Sequence, residues 1–201
     1  MRIAIVDYGM GNIYSLSSTL NYIGITDLVI TDDFDVMNSS DKIILPGVGS
    51  FAEAIRTIRN KKIDIYLNNI LKKNIPLLGI CLGMQLLAKS SEEEGLNSGL
   101  NYVNGVVRKF EANDLKIPHV GFNQVEINSE SKLFKFLPNN SDFYFTHSFR
   151  LTSDSNIKQS HCHYGDKFIA AFESDNIFGT QFHPELSQNN GIQLLRNFFN
   201  L

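Results

Sequence analysis

The sequence predicts an α/β fold: a doubly wound, mostly parallel central sheet flanked by helices, with a smaller additional β-sheet. Two observations predict it. In the first half of the 201-residue chain, short apolar runs typical of buried parallel strands alternate with stretches in which apolar residues have helical spacing. In the second half, strand-like segments are joined by short loops rich in Asn, Ser and Gly. No repeat or linker-like composition separates the halves, so we expect one domain over residues 1–201.

The first half supplies the parallel strands and the helices that connect them. Apolar runs predict strands at residues 3–6, 28–31, 42–45 and 76–80. Helical spacing of apolar residues begins at Ile13, Phe51 and Leu82, and Gly24 ends the first of these helices. Because strand–helix–strand units connect with right-handed crossovers, we expect these strands to form one parallel sheet.

The second half is predicted to be mainly β-structure with one closing helix. Strand patterns cover residues 103–110, 124–127, 142–145, 168–173 and 177–182, and the helix covers 191–199. The run HCH at residues 161–163 is interpreted as a strand and not as a zinc site, because alternation puts Cys162 on the opposite face from both histidines. The acidic run SSEEE at residues 90–94 is interpreted as the solvated end of a helix.

Composition and charge exclude several classes of function. Lys and Arg number 18 against 21 Asp and Glu, which leaves no basic footprint for nucleic acid. Two cysteines cannot make a disulfide framework. The apolar run at the N-terminus reaches Asp7 after four residues, so we expect no signal peptide and no membrane segment there. These features predict a soluble cytoplasmic protein, and no C-x-x-C pair is present to start a zinc site.

The run GICLG at residues 79–83 is the strongest candidate for chemistry. A predicted strand precedes it and a predicted helix follows, which is the arrangement of a nucleophile elbow with Cys81 in the serine position. Small residues two positions to either side permit the sharp turn, and the N-terminus of a helix favours the thiolate. The alternative is a buried structural cysteine, which the flanking glycines and the change from strand to helix argue against.

A second run, FHPE at residues 182–185, follows another predicted strand. A thiol nucleophile needs a base, and that base needs a group to orient it. His183 and Glu185 fit these roles, since Pro184 between them fixes the backbone. In open α/β sheets, functional residues gather at the carboxyl ends of the strands. We therefore expect Cys81, His183 and Glu185 to meet as a catalytic set.

The tetrahedral intermediate of such a reaction carries an oxyanion, for which each well-placed donor is worth about 3–4 kcal/mol. The amide of Leu82, the residue after the nucleophile, is one candidate donor. The loop containing Val48 and Gly49, after the third predicted strand, is the candidate for the second. A plain turn from strand to helix explains the spacing of this loop equally well.

These motifs together resemble the class I (triad) glutamine amidotransferases. The runs GICLGMQ at 79–85 and QFHPE at 181–185 match the signature pair of that superfamily. The runs DYGMGN at 7–12, LPGVGSF at 45–51, IPHVGFN at 117–123 and YFTHSF at 144–149 resemble its HisH branch, the glutaminase subunits of imidazole glycerol phosphate synthase. The resemblance covers essentially the whole chain.

The resemblance implies a role for particular residues. Cys81 matches the family nucleophile, His183 its general base and acid, and Glu185 its orienting carboxylate. The substrate-binding positions of the family match Gln85, Ser148 and Phe149. The peptide between residues 48 and 49 matches an oxyanion-hole element that, in this family, can stay unformed until the partner binds. The implied reaction is hydrolysis of L-glutamine to glutamate and ammonia, without a cofactor.

A partner follows from the resemblance, because a glutaminase of this size leaves no residues for a domain that consumes ammonia. In the HisH branch the partner is a (β/α)8-barrel cyclase of histidine biosynthesis, with which it forms a heterodimer. This chain has Leu186, Phe122, Val120 and Phe149 where that branch commonly has Lys, Trp, Met and Tyr. A related partner therefore stays open: a sugar-amidinating amidotransferase of cell-surface glycan biosynthesis.

Two other classes of function fit the sequence less well. A stand-alone cysteine hydrolase or γ-glutamyl peptidase would share the triad, but it would turn over its substrate without a partner. A non-catalytic binding protein would not need Cys81, His183 and Glu185 together.

Overall fold

The computed structural model describes residues 1–111 and 115–201. The strands are β1 (Ile3–Val6), β2 (Leu28–Thr31), β3 (Lys42–Leu45), β4 (Leu77–Ile80), β5 (Ala88–Ser91), β6 (Asn97–Ser98), β7 (Val103–Lys109), β8 (His119–Glu126), β9 (Ser141–His147), β10 (Phe149–Thr152), β11 (Lys158–Tyr164), β12 (Asp166–Ser174) and β13 (Ile177–Thr180). The helices are α1 (Ile13–Tyr22), α2 (Phe34–Asn38), α3 (Phe51–Asn60), α4 (Ile63–Leu71), α5 (Leu82–Leu86) and α6 (Gln188–Phe199), and a 3₁₀ turn covers Pro184–Leu186.

The strands form a larger and a smaller sheet. The larger sheet has the order β2-β1-β3-β4-β13-β12-β11-β8-β9, and the smaller sheet has the order β10-β7-β5-β6. From β2 to β13 every neighbouring pair is parallel, whereas from β13 to β9 every pair is antiparallel. The predicted central sheet with a smaller additional sheet is confirmed. Its strands β3, β4 and β13 end side by side at one edge.

Helices cover both faces of the larger sheet because its parallel strands are apolar on both sides. Ile3 and Ile5 of β1 pack in a core with α1 and α6, while Ala4 and Val6 pack in a second core with α3 and α4. All four residues are fully buried. Burial of an Ile or Val side chain contributes about 1.5–3 kcal/mol, so both cores hold the strand ends in place.

Several element boundaries differ from those predicted. The helix that begins at Leu82 ends after five residues, and the chain then enters β5. Helices α2 and α4 and strands β6 and β10 were not predicted from the sequence. Helix α3 ends at Asn60, and α4 begins after Lys62, whose φ is 59°. The two residues between these helices are both lysine, so neither the glycine nor the proline that usually marks a helix end is present. Strand β8 begins earlier than predicted, since its pairing with β9 reaches His119.

Across both described ranges, no helix is sufficiently long and apolar to span a bilayer.

Candidate active site

The candidate nucleophile Cys81 lies at a sharp turn between β4 and α5. Its φ of 54° and ψ of −109° are rare for a residue with a side chain, and such strain costs about 1–3 kcal/mol. A Cβ atom at Gly83 would lie 1.8 Å from the carbonyl oxygen of Leu45, and one at Gly79 would lie 2.8 Å from the backbone of Gly83. Only glycine lets α5 pack this closely, so the strained turn predicted from the sequence is confirmed.

The thiol of Cys81 is nearly buried but borders a cavity. Its Sγ lies 3.8 Å from the carbonyl oxygen of Thr146 and 3.7 Å from Nε2 of Gln181. The amide of Leu82 begins α5, so it has no acceptor within its own helix, and Leu82 borders the same cavity. Cys81 and the residue that carries this first-turn amide therefore border the same cavity.

His183 and Glu185 reach this place because β13 is the parallel neighbour of β4. The amide of Cys81 donates to the carbonyl oxygen of Thr180 at 2.7 Å, which aligns the two strand ends. His183 Nδ1 and Glu185 Oε1 are 2.8 Å apart, and the two side chains are only 4% and 3% exposed. Cys81 lies about a hundred positions from His183 and Glu185 in the sequence, and adjacent strand ends bring them together.

The charge of the histidine depends on its neighbours. Burial lowers the pKa of His183, but Cys81 and Glu185 outweigh burial and raise that pKa well above its ordinary value. Within residues 1–111 and 115–201, Nε2 of His183 and Oε2 of Glu185 have no hydrogen-bond partner. Glu185 therefore holds Nδ1, and Nε2 stays available for proton exchange with the thiol or with a bound substrate.

The loop after β3 forms another side of the cavity, and Val48 and Gly49 both border it. Gly49 has a φ of +106°, which favours glycine. The hydroxyl of Tyr8 donates to the carbonyl oxygen of Pro46 at 2.7 Å and so fixes the start of the loop. A Cβ atom at Gly47 would lie 2.5 Å from that hydroxyl, so this position also requires glycine.

The cavity has a volume of about 340 Å³, and all the predicted site residues line it except His183 and Glu185. Its lining residues are Val48, Gly49, Cys81, Leu82, Gln85, Glu93, Pro118, Thr146, His147, Ser148 and Phe149.

Gln85 connects α5 to the opposite wall of the cavity. Its Nε2 donates to the carbonyl oxygen of Phe149 at 2.9 Å and to Oε1 of Gln181 at 3.0 Å. No residue in the described part of the chain donates to its Oε1, which leaves that oxygen for a ligand. Ser148 is the single residue between β9 of the larger sheet and β10 of the smaller one. The predicted substrate-binding residues therefore form one connected wall.

The prediction for residues 90–94 was wrong. Instead of a solvated helix end, the segment is the end of β5 and a turn, because α5 stops early and the chain joins the smaller sheet. Glu93 borders the cavity, and one of its carboxylate oxygens accepts from the amide of Phe51 at 3.1 Å. Burial raises the pKa of Glu93, and the charge of Glu94 adds to this effect. Composition alone gave no sign of this role.

Cys162 lies in the middle of β11, as predicted. It is fully buried, while His163 points to the other face and is exposed beside Glu126. Burial raises the pKa of the Cys162 thiol to about 12. Among the residues that the structure describes, no three His, Cys, Asp or Glu side chains are grouped as metal ligands.

Comparison with known proteins places this site in a broader context. Residues 4–201 match the profile of a family described as glutamine amidotransferase class-I. The imidazole glycerol phosphate synthase subunit HisH 2 of Vibrio vulnificus (strain YJ016) is 41% identical over 200 residues, which cover 98% of this chain and 94% of that protein. Subunit HisH 1 of Campylobacter jejuni (strain RM1221) is 42% identical over 201 residues, which cover 99% and 100%.

The solved structure of PurLQS from Thermotoga maritima has a similar fold. Its TM-score is 0.76 and its sequence identity is 18%, and the match covers 99% of this chain and 97% of that one. At this level of identity the likeness concerns the fold alone.

Proposed function

The chain belongs to the HisH family of class I glutamine amidotransferases, and from that premise we propose that Cys81, His183 and Glu185 hydrolyse L-glutamine to glutamate and ammonia. The observation that carries the assignment is the meeting of these three side chains at adjacent strand ends beside the cavity. The enzyme is the glutamine-hydrolysing subunit of an imidazole glycerol phosphate synthase, which acts in L-histidine biosynthesis.

In the first half of the reaction, the Cys81 thiolate attacks the side-chain amide carbon of glutamine. The carbonyl oxygen becomes an oxyanion, for which the amide of Leu82 and the loop at Val48 and Gly49 are the candidate donors. His183 gives a proton from Nε2 to the departing nitrogen, so ammonia leaves and a thioester with Cys81 remains. Glu185 stabilises the imidazolium that exists before this transfer.

In the second half, His183 takes a proton from water, which attacks the thioester. The tetrahedral intermediate collapses, the bond from carbon to sulfur breaks, and glutamate is released with Cys81 restored. The same oxyanion donors serve both halves, because the developing negative charge occupies the same position each time.

We propose that the amino acid end of glutamine is held by the cavity wall opposite the thiol. Glu93 is the carboxylate in the cavity, and a substrate ammonium group would offset the burial of its charge. Oε1 of Gln85 and the backbone at Ser148 and Phe149 supply polar groups for the rest of that end. An asparagine side chain is one methylene shorter, so it cannot contact both Cys81 and this wall.

We propose that the ammonia is consumed by a (β/α)8-barrel cyclase bound as the other half of a heterodimer. Val48, which borders the cavity, is 42% exposed, and Val120, Phe122 and Leu186 are 56%, 49% and 38% exposed. Exposed apolar side chains that form a patch are typical of a protein interface, and we propose that these four contact the cyclase. Since β13 joins the two halves of the chain in one sheet, residues 1–201 are proposed to act as one domain.

The test of the triad measures glutamate release from glutamine by the chain mixed with a histidine-pathway barrel cyclase and its ligand. Wild-type protein is expected to be nearly silent alone and strongly stimulated in the complex. Cys81→Ala is expected to bind the cyclase with wild-type affinity but release no glutamate. Full turnover by Cys81→Ala in the stimulated complex would contradict the assignment.

The partner is tested by repeating the assay with a sugar-amidinating synthase subunit in place of the cyclase. Binding and stimulation by the cyclase alone support the histidine pathway. Stimulation only by the sugar-amidinating subunit would overturn the proposed partner and leave the triad assignment intact.

A further inference from the structure

A pair of buried histidines lies at the cavity, with His147 in its lining and His119 hydrogen-bonded to His147, and the proposed reaction does not use their chemistry. His119 begins β8 and His147 ends the neighbouring β9, and the two residues are register partners. His119 Nδ1 and His147 Nε2 are 3.0 Å apart. The residues are 2% and 6% exposed, so neither ring obtains its hydrogen bonds from bulk water.

The hydrogen-bond chain through the pair has only one consistent direction. The carbonyl oxygen of Phe149 can only accept, so His147 Nδ1, at 2.8 Å from it, carries a proton and donates. In the neutral ring Nε2 of His147 must then accept from Nδ1 of His119. His119 Nε2 in turn accepts from the side-chain amide of Asn123 at 3.4 Å, and that amide also donates to the carbonyl oxygen of His163. Both histidines are therefore the Nδ1–H tautomer.

Aromatic neighbours keep this pair neutral and fix the ring of His119. Tyr164 stacks on that ring at a centroid distance of 3.9 Å and Phe145 stacks on it at 4.8 Å. Burial lowers the pKa of His119 to about 4 and that of His147 to about 3. A ring held in this way cannot rotate or take up a proton near neutral pH, so the direction of the chain is stable.

The chain ends on the part of the cavity wall where the backbone passes between the two sheets. Phe149 begins β10 after the single residue Ser148, and its register partner in the smaller sheet is Lys109. The carbonyl oxygen of Phe149 accepts from two side chains, Gln85 on one side and His147 on the other. Both donors border the cavity together with Ser148 and Phe149.

We propose that His147 is a positioning residue for glutamine binding, which fixes the Phe149 carbonyl and the adjacent cavity wall while His119 anchors it from behind. The proposal rests on the proposed glutaminase function. In the proposed function this wall contacts the amino acid end of the substrate in the ground state and in the transition state alike. Removal of the hydrogen bond from His147 therefore raises KM more than it lowers kcat.

Four variants in the complex with the cyclase test the proposal. His147→Leu removes the donor and the acceptor, whereas His147→Asn keeps an N–H near the position of Nδ1. His119→Phe keeps the stacked ring but removes the donor to His147. The control is His163→Asn, which changes an exposed histidine away from the cavity. Each variant is assayed for kcat and KM of glutamine hydrolysis and for its melting temperature.

We expect His147→Leu to raise KM about tenfold with kcat within about threefold of wild type, as for a lost buried hydrogen bond. His147→Asn is expected to restore KM to within about threefold of wild type, and His119→Phe to raise KM by about three- to fivefold. An unchanged KM in both His147→Leu and His119→Phe, with a lowered melting temperature, would assign the pair a structural role and overturn the proposal. If His147→Leu fails to fold, His119→Phe alone decides this point.

A measurement independent of activity completes the test. In the ¹⁵N-histidine spectrum at neutral pH, both His119 and His147 are expected to be neutral Nδ1–H tautomers, which is the less common form in free histidine. An Nε2–H tautomer at His147 would remove the bond to Phe149 and overturn the proposal. A wild-type complex that hydrolyses no glutamine would instead contradict the proposed function, so the two failures are distinguishable.

Discussion

The two cysteines lie in regions of the molecule that differ in backbone geometry and in the groups around the thiol. Cys81 lies at a strand end, with a φ of 54°, beside a cavity and a histidine. Cys162 lies within β11, fully buried, and burial raises the pKa of its thiol to about 12. The difference teaches that backbone position and charged neighbours decide the reactivity of a thiol, since both side chains are nearly inaccessible.

The largest expected effect is the loss of glutaminase activity when Cys81 is substituted. Cys81→Ala should lower kcat of the stimulated complex by at least about 10³-fold, because nothing else in the cavity can form the thioester. Steady-state glutamate release measures this. The matched variant Cys162→Ala should keep kcat within about twofold, since Cys162 does not line the cavity. A large loss of kcat in Cys162→Ala would break the comparison.

Alkylation compares both thiols in one sample. Iodoacetamide at pH 8 should modify Cys81 at least about 100-fold faster than Cys162, because the thiolate is the reactive species and Cys162 stays protonated. Peptide mass spectrometry after a time course measures both rates. In denaturant the two rates should converge, and faster labelling of Cys162 in the folded chain would contradict the contrast.

The free energy of unfolding should change when Cys162, within β11, is substituted. Cys162→Ser puts a hydroxyl in an apolar core and should lower the free energy of unfolding by about 1–3 kcal/mol. The carbonyl oxygen of His163, 3.8 Å from the sulfur, offers only a distant acceptor. Denaturant titration measures the change, and Cys162→Ala, which removes one atom without adding polarity, should cost less. A Cys162→Ser variant that is more stable than wild type would contradict the apolar character of the core around residue 162.

The smallest expected effect is a dependence on alkaline pH. Burial raises the pKa of Cys162 from 9.0 to about 12, so the unfolded chain loses this proton before the folded chain does. The contribution to stability is fully present below pH 9 and is lost as the pH rises toward 12, and about 1.4 kcal/mol of it is lost by pH 10. Subtracting the unfolding free energies of Cys162→Ala from those of wild type isolates it. A difference that does not change between pH 8 and pH 10 would exclude it.

The sequence predicted the parallel strands and the elbow because their signals are local. Apolar runs mark strands that are buried on both faces, and the glycines around Cys81 are required by contacts that a Cβ would not permit. The strand pattern before His183 likewise predicted that this residue lies at the carboxyl end of a strand. The order of strands, which makes β13 the neighbour of β4, was not predicted, because no local pattern in the sequence encodes it.

The rest depended on contacts between distant segments. Glu93 belongs to an acidic run that looks solvated, and only the passage of the chain into β5 puts it against α3 and the cavity. His119 and His147 lie in the runs at 117–123 and 144–149, but the family resemblance of these runs assigned no role to either histidine. Tertiary packing decides the burial of such residues, so no period or spacing reveals them.

The insertion of β13 between β4 and β12 has a consequence for synthesis on the ribosome. The strand that carries the nucleophile ends at Ile80, but its neighbour β13 emerges about a hundred residues later. A pairing across so long a loop forms late, because its closure entropy must be offset by contacts that do not yet exist. Nascent chains therefore expose Cys81 without His183 or Glu185, and the thiol acquires its base only after these later residues have been translated.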